Sequence, residues 1–127
     1  MGPGTYSVGT MPLHFRHSMM EATTDLTELL QTLRRALEEL YGERLHQVIL
    51  YGSHARGEAS EDSDVDVMVV LKGPVDLWQE IDRMNDPAYR VQLAFGKLIS
   101  LYPVAIERYQ SADIPLLRNI RREGIEL

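Results

Sequence analysis

Two short apolar runs constrain this chain more than any other feature: Val48-Ile49-Leu50-Tyr51, and Val65 to Leu71 with Asp66 inside it. Each is too short for a helix and rich in branched residues, the pattern of a buried strand. Gly52 and Ser53 break the first run, a polar loop continues through Ser63, and Asp64 and Asp66 open the second. Two positions apart on a strand, these aspartates leave the same face, roughly 6–7 Å apart at the backbone. Like charges there are costly to desolvate and repel one another. A divalent cation between them removes both objections. Mg²⁺ suits the place, because it takes one or two carboxylates and fills its other positions with water and substrate phosphates.

The loop supplies the complement. Gly52 lets backbone approach a phosphate closely, and the Ser53 hydroxyl and nearby amides can donate to its oxygens. Both follow the end of a strand, where open α/β sheets bind ligands. The implied ligand is a metal–nucleoside triphosphate. The plain alternatives are a strand-ending turn for Gly52-Ser53 and an exposed acidic turn for the aspartates, since Glu58, Glu61 and Asp62 make the loop acidic anyway. Val65 and Val67 argue for the strand. Arg56 either pairs with phosphate oxygens or bridges to Glu61 or Asp62. His54 reads as a solvated loop histidine.

At these residues the chain resembles a known family. Gly52-Ser53, ten residues, then Asp64-Val65-Asp66 is similar to the GS-x10-D-x-D signature of the minimal nucleotidyltransferases (MNT proteins) of the DNA polymerase β superfamily. Arg56-Gly57 completes GSxARG, and Ser63 completes SDxD. The likeness extends through Leu116 to Gly124, so it covers about residues 25–127. The resemblance implies a small mixed α/β fold like the polymerase β palm, with a central sheet of at least three strands flanked by helices. It implies Asp64 and Asp66 as catalytic metal ligands, and Gly52, Ser53, Arg56 and Ser63 as nucleotide contacts. It also implies a protein partner, since MNT proteins are often paired with a helical HEPN-type toxin that some of them adenylylate on tyrosine.

One departure accompanies the likeness. Active members of the superfamily usually carry a third carboxylate on a later strand. The matching strand here is Lys97 to Leu101, the position falls at about Leu98, and no acidic residue lies within it. Glu107 comes beyond, at what would be the wrong end of the sheet. Loss of a general base typically costs about 10²–10⁴-fold in rate.

The rest of the chain frames this centre. Residues 1–20 mix Gly, Pro, Ser and Thr without periodicity and read as a mobile tail; residues 21–127 read as one domain. His14 and His17 lack a third ligand and are better read as tail residues than as a metal site. From Thr24 to about Tyr41, Leu26, Leu29, Leu30, Leu33, Leu37 and Leu40 recur at threes and fours, one stripe of an amphipathic helix with Thr24 as its cap. A second helix is expected from Leu77 with Asp76 as cap, kinking or restarting at Pro87 with Asp86 as a new cap. Trp78 and Phe95 read as core residues. A third strand follows over Leu98 to Val104, with Pro103 marking its end or an edge. A last short helix spans Pro115 to Glu123.

Composition excludes some functions. There is no cysteine, so no disulfide or thiolate metal site forms, which is compatible with a cytoplasmic setting. A net charge of −6 argues against a large nucleic-acid footprint. No apolar run approaches the length of a membrane span. GSHARG also lacks the GxGxxG spacing of a dinucleotide binder.

Two functional expectations result. One is a Mg²⁺-dependent enzyme moving AMP from ATP onto a hydroxyl, for instance a tyrosine of a HEPN-type toxin, and so acting as the antitoxin of a toxin–antitoxin pair. The other is a catalytically weak or inactive nucleotide-binding module that neutralises such a partner by contact. Small-molecule nucleotidyl transfer is a third option, although that chemistry normally needs a second domain to hold the acceptor.

Overall fold

The computed structural model describes residues 13–127, with side chains from Asp25 onward. Residues 1–12 of the expected tail, and the side chains of His14, His17 and Thr24, lie outside the described residues. Helix α1 runs Leu13–Tyr41, so the backbone at Thr24 lies within the helix, not at its start. No Gly or Pro interrupts the sequence between Leu13 and Gly42, and nothing in it forces a later beginning. Leu29, Leu30, Leu33, Leu37 and Tyr41 are buried along one stripe, while Leu40 is partly exposed.

Strand β1 is Leu45–Tyr51 and pairs antiparallel with β2, Val65–Leu71. The loop between them holds one short helical turn, α2, Ser53–Arg56. Helix α3, Leu77–Phe95, carries the chain back so that β3, Ile99–Ala105, lies parallel to β2. Such a parallel neighbour requires a crossover of this kind. Short helices α4, Ile106–Ser111, and α5, Pro115–Glu123, lead to β4, Ile125–Glu126. The resulting four-stranded mixed sheet has the order β3-β2-β1-β4. This is the mixed α/β sheet flanked by helices that the sequence implied, with β4 as an unforeseen fourth strand. Gly124 admits it: a Cβ there would stand 2.5 Å from both the Ile120 carbonyl and Ile49 Cγ2.

Alternation along the strands sends side chains to two cores. On one face Val48, Leu50, Val65, Val67, Val69 and Leu71 pack against α1 and α3. On the other Ile49, Met68, Val70 and Val104 pack against Leu117 and Ile120 of α5. Burial on both faces explains why β2 reads as an almost unbroken apolar run. Pro103 lies within β3, opposite Val69. As β3 is an edge, the missing N–H is tolerated there.

Several expectations need correction. Trp78 is not a core residue: it is 75% exposed, because α3 buries the face carrying Met84, Ala88 and Val91, and Trp78 falls outside it. Asp76 does cap α3, accepting from Gln79 N–H at 3.1 Å. Pro87, however, lies buried inside one continuous helix, and Asp86 starts no new one. Contacts of α3 with α1 and β3 hold the helix across the missing hydrogen bond. No described helix is long and apolar enough to cross a membrane.

Far from the Gly-Ser loop, the single buried charged residue among those described, Glu80 (2% exposed), ties three elements together. It accepts from Tyr41 Oη at 2.9 Å, Arg44 Nη2 at 3.2 Å and Arg83 Nη1 at 3.2 Å. Arg44 also donates to the carbonyls of Lys72 and Pro74. A buried carboxylate is tolerable when its oxygens are paired in this way. Burial, followed by the bond to Glu80, pushes the Tyr41 phenol well above its ordinary value.

Candidate active site

Antiparallel pairing brings the end of β1 and the start of β2 to the same end of the sheet. Tyr51 is the register partner of Asp66, and Asp66 is in turn the partner of Ser100 on β3. A row Tyr51–Asp66–Ser100 thus crosses three strands at the sheet's rim. Asp64 precedes β2 by one residue and is exposed, whereas Asp66 is half-buried.

The loop folds back over this row. Gly52 has φ 74° and ψ −153°, a conformation open essentially to glycine alone. A Cβ on it would stand 2.5 Å from Asp66 Oδ2. Gly52 is therefore required twice, by its backbone angles and by the carboxylate lying against it. Its carbonyl accepts from the N–H groups of Ala55 (3.1 Å) and Arg56 (3.2 Å), which closes the α2 turn. Ser53 begins that turn and is half-buried.

Charge on these groups is mutually sensed. Burial raises the Asp66 carboxyl above its ordinary value; the charge of Asp64 raises it further, and His54 and Arg56 oppose the shift. Two carboxylates thus share one neighbourhood with two basic side chains. Burial, and then the charges of Asp66 and Tyr102, raise the Tyr51 phenol as well.

The remaining predicted residues take distinct places. Arg56 bridges neither Glu61 nor Asp62; its Nε lies 3.2 Å from Glu58 Oε2, with both side chains well exposed. An exposed pair of this kind contributes at most about 1 kcal/mol, so a polyphosphate can displace it. Ser63 holds the loop: its Oγ accepts from Ser60 N–H at 2.9 Å, and its own N–H donates to the Ser60 carbonyl at 3.1 Å. His54 is not simply solvated. It is half-buried, with Nε2 3.4 Å from the Ser63 carbonyl, and so spans from the α2 turn to the residue preceding Asp64.

On β3 the geometry shifts the expected position of a third acidic group. Leu98 stands just before the strand, its carbonyl accepting from Val65 N–H at 2.9 Å and its residue 66% exposed. The strand residue level with Asp66 is Ser100. Glu107 follows Ala105, the partner of Leu71, and so belongs to the opposite end of β2. No group of three or more His, Asp or Glu side chains able to hold a metal occurs among the described residues. Two carboxylates with an anion-facing loop beside them suit a hard cation that takes its other oxygens from phosphates and water. They do not make a closed protein site.

His54, Tyr51 and Ser100 escaped the sequence reading. His54 had a signal, its place inside the GSxARG segment, but Ser100 had none until the β2–β3 register was known.

Known proteins share this fold. The nucleotidyltransferase domain family profile matches residues 30–114. A Methanocaldococcus jannaschii protein named as a candidate protein adenylyltransferase is 33% identical over 76 residues, covering 60% of this chain and 76% of that protein. A crystal structure of a toxin–antitoxin with AMP-PNP superposes with a TM-score of 0.57 at 19% identity, over 76% of this chain and 69% of that one. A structure of the MntA–HpeT toxin–antitoxin gives 0.55 at 16% identity, over the same shares. The chain belongs to the nucleotidyltransferase domain family.

Proposed function

We propose that this protein transfers AMP from ATP, with Mg²⁺, onto a hydroxyl of a protein partner, and that the partner is a HEPN-type toxin which the transfer neutralises. The observation that carries the reading is the meeting of Gly52 with Asp66 at one end of the sheet, with Asp64, His54 and Arg56 within electrostatic reach. The backbone at Gly52-Ser53 and the Arg56 guanidinium receive the β- and γ-phosphates. Asp64 and Asp66 would hold the cation, which when bound would supply charge neutralisation at the phosphates.

In the transfer the acceptor oxygen bonds to the α-phosphorus and the bond to the bridging oxygen breaks. Pyrophosphate leaves with that electron pair, and the acceptor's proton passes to a base. Positioning and electrostatics are the main contributions asked of the protein in such a reaction. The names of the similar proteins support the acceptor class: one is a candidate protein adenylyltransferase, and two are toxin–antitoxin structures, one of them with an ATP analogue.

A second reading, a binding module that neutralises its partner by contact alone, draws on the absence of a third acidic group near Asp64 and Asp66 among the described residues. One experiment separates the two. The protein is incubated with α-labelled ATP, Mg²⁺ and the HEPN-type protein encoded beside it. Label on the partner, lost with Asp64→Asn, is the expected result. A tight complex without label favours the module, and neither label nor complex removes the partner proposal.

A further inference from the structure

We infer that this centre holds a single divalent cation tightly, and that Ser100 is the residue that limits it to one. The inference rests on the nucleotidyl-transfer reading above and adds to it the composition of the site. The rim of the sheet has three sides. The β1 side is filled by the Gly52–Arg56 turn, packed against Asp66. The centre is Asp64 and Asp66. The third side is β3, and there the residue level with Asp66 on the adjacent parallel strand is Ser100.

Paired residues on neighbouring strands point the same way, with their strands about 4.8 Å apart. A side chain at position 100 therefore rises beside Asp66 on its open flank, and Ser100 is exposed there. It is the place from which a further carboxylate would reach a cation held by Asp66. Serine supplies only a neutral hydroxyl. Two carboxylates and a triphosphate are sufficient for one octahedral Mg²⁺. A two-metal clamp about 3.5–4 Å across brings a second dication beside the first and calls for more negative charge than this rim carries. The described residues bring no third His, Asp or Glu into the cluster.

A chemical consequence follows for the acceptor. The β3 strand offers no carboxylate over Ile99–Ala105 to take the acceptor's proton.

The test uses Mn²⁺ in place of Mg²⁺ and a non-hydrolysable ATP analogue, with bound metal counted from the free-ion paramagnetic resonance signal. Wild type is expected to bind one Mn²⁺ tightly per chain. Ser100→Asp, which adds a carboxylate beside Asp66, is expected to bind two; a single ion, however tight, would overturn the role given to Ser100. Ser100→Asn, similar in size but neutral, is expected to match wild type. Circular dichroism checks the fold, which a change at this exposed position should preserve. Two tightly bound ions in wild type would overturn the inference, and so would identical titrations of the Asp and Asn variants. The transfer reading would survive both results. Absence of any nucleotide-dependent Mn²⁺ binding by wild type would instead remove both.

Discussion

Gly52 lies so close to Asp66 that a single added carbon at position 52 would stand 2.5 Å from the carboxylate oxygen Oδ2. Gly52 directly follows β1 and Asp66 lies on β2, and they meet because Tyr51, the last residue of β1, is the antiparallel partner of Asp66. A phosphate-facing loop and a cation-facing carboxylate are thereby held in one place by strand pairing, with no dedicated linker.

Gly52→Ala must satisfy a φ of 74° and displace the Asp66 carboxylate at once. A strained backbone of this kind costs about 1–3 kcal/mol. Denaturant unfolding should show a loss in that range, and nucleotide affinity should fall by at least tenfold as Asp66 moves.

Asp66→Asn should stabilise the metal-free protein while abolishing transfer. The folded-state carboxyl is raised above its ordinary value of 3.8, first by burial and then by Asp64. The folded state therefore binds this proton more tightly than the unfolded state does. Stability is greatest below the unfolded value and declines as pH rises through the folded one. Thermal melts of wild type without metal should fall as pH rises above about 4 relative to those of the Asn variant. Added Mg²⁺ with ATP should raise the wild-type Tm at pH 7 by mass action and leave the Asn variant unmoved.

Glu80→Ala should separate stability from chemistry. It removes the acceptor shared by Tyr41, Arg44 and Arg83 and strands a buried phenol. Breaking such a pair costs about 3 kcal/mol, toward the low end because both guanidiniums remain partly exposed. Chemical denaturation should report that loss, while transfer per folded molecule stays within about twofold of wild type, since β1 and β2 place this cluster at the end away from Gly52.

Trp78 is the sole tryptophan and is mostly exposed. Its emission should be that of a water-exposed indole, readily quenched by acrylamide. Trp78→Ala should change unfolding free energy by no more than about 0.5 kcal/mol. A blue-shifted, protected emission would contradict the orientation of α3.

Much of this protein was legible in local chemistry. Branched residues at Val48–Leu50 and Val65–Val70 marked strands because a two-faced buried sheet needs a continuous apolar run. Asp76 marked the start of α3 because a carboxylate satisfies the free N–H groups of a first turn. Gly52-Ser53 with Asp64 and Asp66 marked the centre because their residue types, at that spacing, match a signature. Errors arose where the outcome depended on packing between distant segments. Pro87 stayed inside α3 because its neighbours hold the helix, and Trp78 faced outward because the buried stripe was set by α1 and β3.

The residue types at the site, and the alternation that puts Asp64 and Asp66 on one side of a strand, were determined by the sequence, because covalent geometry alone sets that period. What stands beside them was decided only by the tertiary structure. Pairing register between β2 and β3 is fixed by how whole faces bury, and it placed Ser100, not Leu98, level with Asp66. A slip of one residue would turn every apolar side chain of the strand to the wrong face, so the core, built from residues far apart in the chain, chose the neighbour of the carboxylate.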